Sequence, residues 1–600
     1  MDFRLAGALS LLLCASACRP ARDSWPVVRD LAAELPLCEV RREAEPAGPP
    51  RPPGPVDRNL AAQVKEGIAL SGGTRIDGYL TIDGRAAIGI DGVVSRGADT
   101  MVQMQLAVEG EEEWGAFLQP TAQAKTWEIP GDGARTVRWT LLAEGARDTW
   151  SIVRRPVIRS PDPLPPPGPS PSHTASRRSG AARPNVLLYL IDTLRADRVG
   201  SYGGKRGLTP RIDALARESV VFENTTAASS WTKPSTATIL TGLPPAVHGA
   251  TRIDRRLPPA VETLAEVLEN AGYRTGGFSA NAHVTEATGF AQGFGRFELM
   301  PELARGEALD RRALAWLDES AAVPEGNSAP FFLYVHAIDP HAPYEPPEDL
   351  RRRFAASVPA GSGGLAKVQE VYRTLDRRRP EAQALLARMV LLYDAEVAAI
   401  DRSFGALLDE LDRRGRLADT LVVVISDHGE EFGEHGGLGH GKTLYREVLD
   451  VPWIVRLPGQ TAGRRIAAPA AHRDVMPTIL GALGIPSGNG LRGADRLAPE
   501  PRQNPLFAEL DYEGRQGGSV RLENWHLVEP WSRKFGRAPK LFDLLSDPGE
   551  TRDLAHDHPV RAGYLRMLLR AEQLAERKRF SASAPLGAEE RKALEALGYL

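Results

Sequence analysis

The sequence predicts an α/β fold, a mostly parallel sheet sandwiched by helices, preceded by a small all-β sandwich domain. Two observations carry the α/β part. Beyond Pro184, continuous apolar runs (NVLLYLID, GGFSA, FFLYVHAID and TLVVVISD) alternate with amphipathic stretches (TPRIDALARES, LPPAVETLAEVLENAG and residues 380–414). Strands buried on both faces read as unbroken apolar runs, and helices between them imply parallel neighbours. A third observation carries the β part: residues 60–159 are short alternating runs such as GYLTID, TMVQMQLAV and TVRWTLLA, split by Gly, Asp and Glu clusters. That texture suits a small antiparallel sandwich.

Taken in order, the chain starts with MDFRLAGALSLLLCASAC, a polar start followed by an apolar run and small residues. This reads as an export signal, residues 1–18. It is shorter than the roughly 20 apolar residues of a membrane-spanning helix. The expected location is periplasmic or cell-envelope in a bacterium. Small residues before Cys18 resemble a bacterial lipoprotein processing site, which would make Cys18 a lipid anchor and the sole membrane contact; Ala15-Ser16-Ala17 also fits an ordinary cleavage site. Cys14, Cys18 and Cys38 are the only cysteines, so no disulfide framework is available.

Residues 19–58, rich in Pro, Arg and Glu, are expected to be a tether, and residues 59–159 the accessory β domain. Trp114, Trp127, Trp139 and Trp150 there are expected to be mainly core, with a sugar-stacking face as the other reading. A Pro/Ser-rich linker, 160–183, separates this domain from residues 184–600, the expected catalytic domain. The helical stretch 560–580 is expected to pack on that domain. Across the chain, 74 Lys plus Arg face 77 Asp plus Glu, a balance that offers nucleic acid no general attraction.

In open α/β sheets ligands bind beyond the carboxyl ends of the strands. Acids and imidazoles recur there: Asp192 after the first run, Asp339 and His341 after the third, Asp427 and His428 after the fourth. Hard oxygen ligands with one imidazole suit one divalent cation of the Ca, Mg, Mn or Zn group. Thr232, in SSWTKPSTATILTG, opens a short helix with Pro234 near its start and Gly242 at its exit. Capping is one reading of Thr232 and nucleophilic attack the other.

Residues 184–600 resemble the sulfatase family of the alkaline phosphatase superfamily. The likeness rests on PNVLLYLIDTLRADRVGSYG, TPRIDALARESVVFENTTA, SSWTKPSTATILTG, FFLYVHAIDPHAPY, TLVVVISDHGEEFGEH, GHGKTLYREVLDVPWIVRLPG and LFDLLSDPGETRDLA. The resemblance implies an alkaline-phosphatase/sulfatase-like fold. It implies that Asp192, Asp427 and His428 ligate the metal with Thr232, that Thr232 occupies the nucleophile position, and that His341 and Lys442 contact the ester anion and leaving group. His440 (catalytic) and Asn281 (substrate-binding) follow from their neighbourhood.

Three departures shape the expected chemistry. Sulfatases carry a Cys or Ser that is converted to formylglycine, with Arg four residues later; here these are Thr232 and Thr236, so no formylglycine is expected. Thr193 stands where the family has a second aspartate, and the GYRTGGFSANAHV block lacks a lysine. A formylglycine hydrate expels sulfate by its own collapse, whereas a threonine ester must be displaced by water or an acceptor. That step is familiar in phosphoryl transfer, so phosphate esters or diesters are expected, glycan- or lipid-linked, with the hydroxyl activated by the metal and by backbone N–H groups at the helix start. Two other readings stand beside it: a sulfuric ester hydrolase using unmodified Thr232, and a non-catalytic glycan- or ligand-binding relative. Arg195, Asp197 and Tyr202 are read as pocket border or solvated loop, and His248, His283, His435 and His472 as ordinary surface or loop histidines.

Overall fold

The computed structural model describes residues 183–575 apart from 302–303, 320–328, 362–378, 489 and 499–504, together with 582–583 and a set of strands between residues 27 and 160. The signal segment, Cys18 and most of the linker lie outside the described residues. The chain forms two compact units, one of residues 1–171 and 555–571, the other of residues 172–554 and 572–600.

The larger unit is built on an eight-stranded sheet. Its strands are β1 (Asn185–Ile191), β2 (Val220–Phe222), β3 (Arg274–Ser279), β4 (Arg296–Leu299), β5 (Phe331–Ala337), β6 (Thr420–Ser426), β7 (Trp453–Arg456) and β8 (Arg464–Ile466), in the order β4-β3-β5-β1-β6-β7-β2-β8. All neighbours are parallel except β7, which runs against β6 and β2. The three apolar runs at the centre, β5, β1 and β6, are buried along their whole length.

Alternation along β1 separates two cores. Leu187, Tyr189 and Ile191 face one side, with residues of the helices Pro210–Ala216, Gly306–Asp318 and Pro380–Arg413. Val186, Leu188 and Leu190 face the other, with the helices Thr232–Thr241, Leu264–Asn270 and Val475–Leu483. The stretch expected as one helix from Leu257 is helical only over Leu264–Asn270. Two prolines fill its start, and Thr263 and Glu266 form a reciprocal cap, Thr263 Oγ1 accepting from Glu266 N at 3.2 Å and Glu266 Oε2 from Thr263 N at 2.8 Å.

An antiparallel meander absent from the sequence reading, Leu506–Tyr512, Arg515–Leu522, Trp525–Pro530 and Lys540–Asp543, completes this unit. The burial of Leu506–Tyr512 alternates residue by residue, as one covered sheet face requires.

The smaller unit is antiparallel β structure in sheets of four, five and four strands around one apolar core that includes Trp139. Trp127 packs half-buried on that core, while the side chains of Trp114 and Trp150 lie outside the described residues. Two expectations are corrected here. The span 19–58 is not tether throughout: Val27–Asp30 pairs with Val157–Arg159, and Glu39–Arg42 pairs with Thr74–Ile82, so backbone hydrogen bonds hold both segments in sheets. The helix Pro559–Ala575 forms as expected, but residues 555–571 belong to this unit rather than to the catalytic one. Arg561 pairs with Glu109 at 2.8 Å, and a Cβ at Gly563 would stand 2.1 Å from the Tyr79 ring, a contact only glycine allows. Among the described residues no helix is long and apolar enough to cross a membrane.

Candidate functional site

At the carboxyl ends of β1 and β6 the chain turns and its side chains stop alternating. Asp192 follows β1, and Asp427 and His428 follow β6, all fully buried. The turn after His428 is tight: a Cβ at Gly429 would lie 2.1 Å from the Glu447 carbonyl oxygen. Asp427 Oδ1 accepts from His428 N at 2.8 Å and Thr193 N at 3.2 Å, which fixes the carboxylate. Thr193 adopts a left-handed φ of 56°, strained for a β-branched residue.

These groups fit a divalent cation. Asp192 Oδ1 and Asp427 Oδ2 are buried without a hydrogen-bond partner. His428 donates Nδ1–H to the Gly429 carbonyl at 2.9 Å, which leaves Nε2 as a lone pair 3.7 Å from Asp192 and 3.4 Å from Asp427. The three ligand atoms lie within 4.8 Å of one another. Two carboxylate oxygens without hydrogen-bond partners, beside an imidazole nitrogen, match a hard or borderline cation. Burial, with Asp427 adding to it, holds the Asp192 carboxyl well above its usual range; burial pulls the His428 imidazole down, but Asp427 and Asp192 outweigh it and raise it.

Thr232 is the first residue of the helix Thr232–Thr241, which Gly242 closes at φ 64°. Pro234 is therefore its third residue, and Thr232 is fully buried. Its Oγ1 lies 3.3 Å from His428 Nε2 and 3.5 Å from Asn281 Nδ2. Asn281 also donates to Asp192 Oδ2 at 2.5 Å, so one amide orients both. Lys233 is turned away, its ammonium donating to the carbonyls of Arg252, Ile253 and Arg255.

A second layer lies beside this cluster. The His440 ring sits between those of His428 and His341, with centroid distances of 4.4 and 5.0 Å. His341 meets the Ala342 carbonyl through Nδ1 at 2.5 Å, and burial pulls its pKa to about 3. Lys442 donates to the Leu438 carbonyl at 2.7 Å, and burial lowers its pKa against the charge of Glu430. The eight side chains singled out in the sequence thus converge on one end of the sheet.

Four further groups belong to the neighbourhood. Glu430, fully buried, accepts from His440 Nδ1 at 2.9 Å and from the Tyr344 hydroxyl at 2.8 Å, and burial raises its pKa. His283, two residues after Asn281, stands edge-on to Trp231 with centroids 5.4 Å apart; the spacing to Asn281 was the available signal. His336 Nε2 lies 3.7 Å from Asp192. Arg195 is no solvated loop residue: it is buried, paired with Asp197 at 2.9 Å and Glu434 at 2.6 Å, and donates to the Glu430 carbonyl. His248, His283 and His472 are buried rather than superficial, and His472 bridges Ala228 N and the Ser426 carbonyl. Tyr202 braces the sheet by bonding the Trp453 carbonyl.

The family model described as Sulfatase matches residues 184–485. The chain belongs to the sulfatase family. An ulvan-active sulfatase of Formosa agariphila is 26% identical to this chain over 420 residues, 64% of this chain and 79% of its own length. A multifunctional alkaline phosphatase superfamily protein of Trinickia caryophylli, PehA, is 24% identical over 496 residues, 64% of this chain and 93% of its own. The phosphonate monoester hydrolase of Agrobacterium radiobacter shares the fold, with a TM-score of 0.55 at 22% identity over 68% of this chain and 99% of that one. The protein is thus an ester-hydrolysing enzyme of the sulfatase family, which generally uses a divalent metal.

Proposed function

We propose that this sulfatase-family hydrolase acts on phosphate esters or diesters through Thr232, with a divalent cation and without formylglycine. The observation that carries the reading is a buried threonine hydroxyl, 3.3 Å from the lone pair of His428, opening a helix beside two carboxylate oxygens that lack partners. Asp192, Asp427 and His428 would hold the cation, which when bound would lower the pKa of a neighbouring hydroxyl and offset charge on the ester's non-bridging oxygens.

This chain's own residues do the remainder. Asn281 holds the Asp192 carboxylate and the Thr232 hydroxyl in one orientation. The Thr232 and Lys233 backbone N–H groups open the helix toward the ester anion, while Pro234 offers none. His341, neutral and with Nδ1 on the Ala342 carbonyl, offers a lone pair rather than a proton. Charge on the departing oxygen therefore falls to Lys442. In-line displacement at phosphorus by a hydroxyl, then by water, needs no hydrated aldehyde.

Paired turnover of bis-p-nitrophenyl phosphate and p-nitrophenyl sulfate, with Mn²⁺ or Ca²⁺ supplied, tests the preference. Faster hydrolysis of the sulfate refutes it. Sulfate-ester hydrolysis by unmodified Thr232 is the second reading, favoured by the ulvan-active relative, whose name also suggests a glycan carrier for the ester. We also propose export with lipid attachment at Cys18; metabolic palmitate labelling that survives Cys18→Ala would end that proposal.

A further inference from the structure

Directly after Asp192, Thr193 is held in a conformation that its side chain disfavours. We propose that Tyr393 is a positioning residue for the cation site: its hydroxyl locks the turn at Thr193, and that turn sets which oxygen of Asp427 faces the ion. This role presupposes a divalent cation on Asp192, Asp427 and His428.

β1 and β6 are adjacent parallel strands whose last residues, Ile191 and Ser426, pair. Just beyond that pair Thr193 turns at φ 56°. A β-branched residue crowds its own backbone there, and such a conformation persists only where the surroundings impose it. The Thr193 side chain does not compensate, because its Oγ1 is buried without a hydrogen-bond partner. Tyr393, fully buried on the helix Pro380–Arg413, supplies the constraint with one atom. Its hydroxyl donates to the Thr193 carbonyl at 2.8 Å and accepts from Arg195 N at 3.0 Å, so both sides of the turn are tied to it. The ring packs against Phe432, with centroids 5.1 Å apart, and Tyr344, at 5.9 Å. Phe432 lies in the segment that follows His428, so the same side chain braces the exits of both ligand-bearing strands.

The constraint reaches Asp427 through the Thr193 peptide. With the turn in place, Thr193 N donates to Asp427 Oδ1 at 3.2 Å, beside His428 N at 2.8 Å. Oδ1 is then engaged twice, while Oδ2 stays buried and unpartnered, 3.4 Å from His428 Nε2. A Thr193 that relaxed out of the left-handed region would withdraw its N–H and free the carboxylate to rotate. Hydrogen bonds of this kind fix a ligand's orientation and raise its affinity for the ion. Tyr393 acts on the site through Thr193.

Isothermal titration calorimetry of the metal-free full chain with Mn²⁺, and separately with Ca²⁺, tests this without substrate. Tyr393→Phe removes one oxygen and keeps the ring, and is expected to bind the ion about 10-fold more weakly than wild type. Combining it with Thr193→Gly should restore most of that affinity, because glycine takes φ 56° unaided. Thr193→Gly alone should bind as wild type does. Tyr189→Phe is the control: it deletes another buried hydroxyl of the same core, bonded to Asp310 at 3.3 Å, and should leave the affinity unchanged. Wild-type affinity in Tyr393→Phe overturns the inference. So does a loss that Tyr189→Phe shares, as general loosening would produce, or one that Thr193→Gly fails to repair. A wild type that takes up neither ion removes the cation site and the positioning role with it, whereas binding by wild type and Tyr393→Phe alike removes the positioning role alone.

Discussion

Replacing Asp427 by Asn is expected to stabilise the metal-free protein while abolishing its response to metal. The ligand atoms of Asp192 and Asp427 lie within 4.8 Å of each other, both buried. Two unit charges at that spacing repel by about 3 kcal/mol at an effective dielectric of 20. Without a cation the pair relieves this by keeping a proton, and the pKa of Asp192 is raised accordingly, first by burial and then by Asp427. A carboxyl with a raised folded pKa holds protons that the unfolded chain has lost. Metal-free stability therefore falls as pH rises from the ordinary carboxylate range through the raised value. A cation displaces that proton, so its stabilising effect grows over the same window. At about 100 times its dissociation constant it contributes about 2.7 kcal/mol. For a unit of roughly 400 residues that is about 3 °C in melting temperature. Differential scanning fluorimetry in EDTA and in Mn²⁺, from pH 5 to 8, reads both effects. The reasoning fails if the EDTA-treated Asp427→Asn protein melts below wild type, or if its Mn²⁺ shift persists.

Thr232→Ala should lower turnover by at least about 1,000-fold while retaining most of the Mn²⁺ melting shift, because the three ligand atoms remain; steady-state kinetics beside fluorimetry check it. Arg496 and Asp474 form an ion pair at 2.7 Å with side chains 1% exposed, so Arg496→Ala strands a buried carboxylate and should cost about 3–5 kcal/mol in urea unfolding. Burial pulls His248, His341 and His472 to about 3 and His336 to about 4. The unfolded chain then binds more protons below its ordinary imidazole pKa of about 6.5, and stability should fall on acidification by up to about 1.4 kcal/mol per pH unit for each ring. Urea midpoints that stay flat between pH 6 and 5 would contradict this.

The sheet centre was legible because β1, β5 and β6 are unbroken apolar runs, a pattern few other structures produce. The metal-type cluster was legible because its members sit one or two residues beyond β1 and β6. Glu430 was not. In the acid-rich run after His428 it looks like any solvated carboxylate, and only the fold carries Tyr344 and Arg195 to it from distant segments. The strands at 27–30 and 39–42 are four residues each, too short for a period, and take their identity from partners far along the chain. The helix at 559–575 declared its amphipathic face, but an apolar stripe does not say which neighbour will cover it. The burial of Thr232 was not legible, because a polar residue at a helix start is ordinarily wet, whereas here every residue of the helix is buried.

That returning helix makes the accessory β unit a product of two distant stretches of the polypeptide. An expression boundary drawn at residue 184 would strip Ala562, Leu565 and Leu569 of their shielding and leave a sticky ridge on the remaining protein. Trimming for crystallisation or assay should therefore spare residues 555–571 together with the amino-terminal unit.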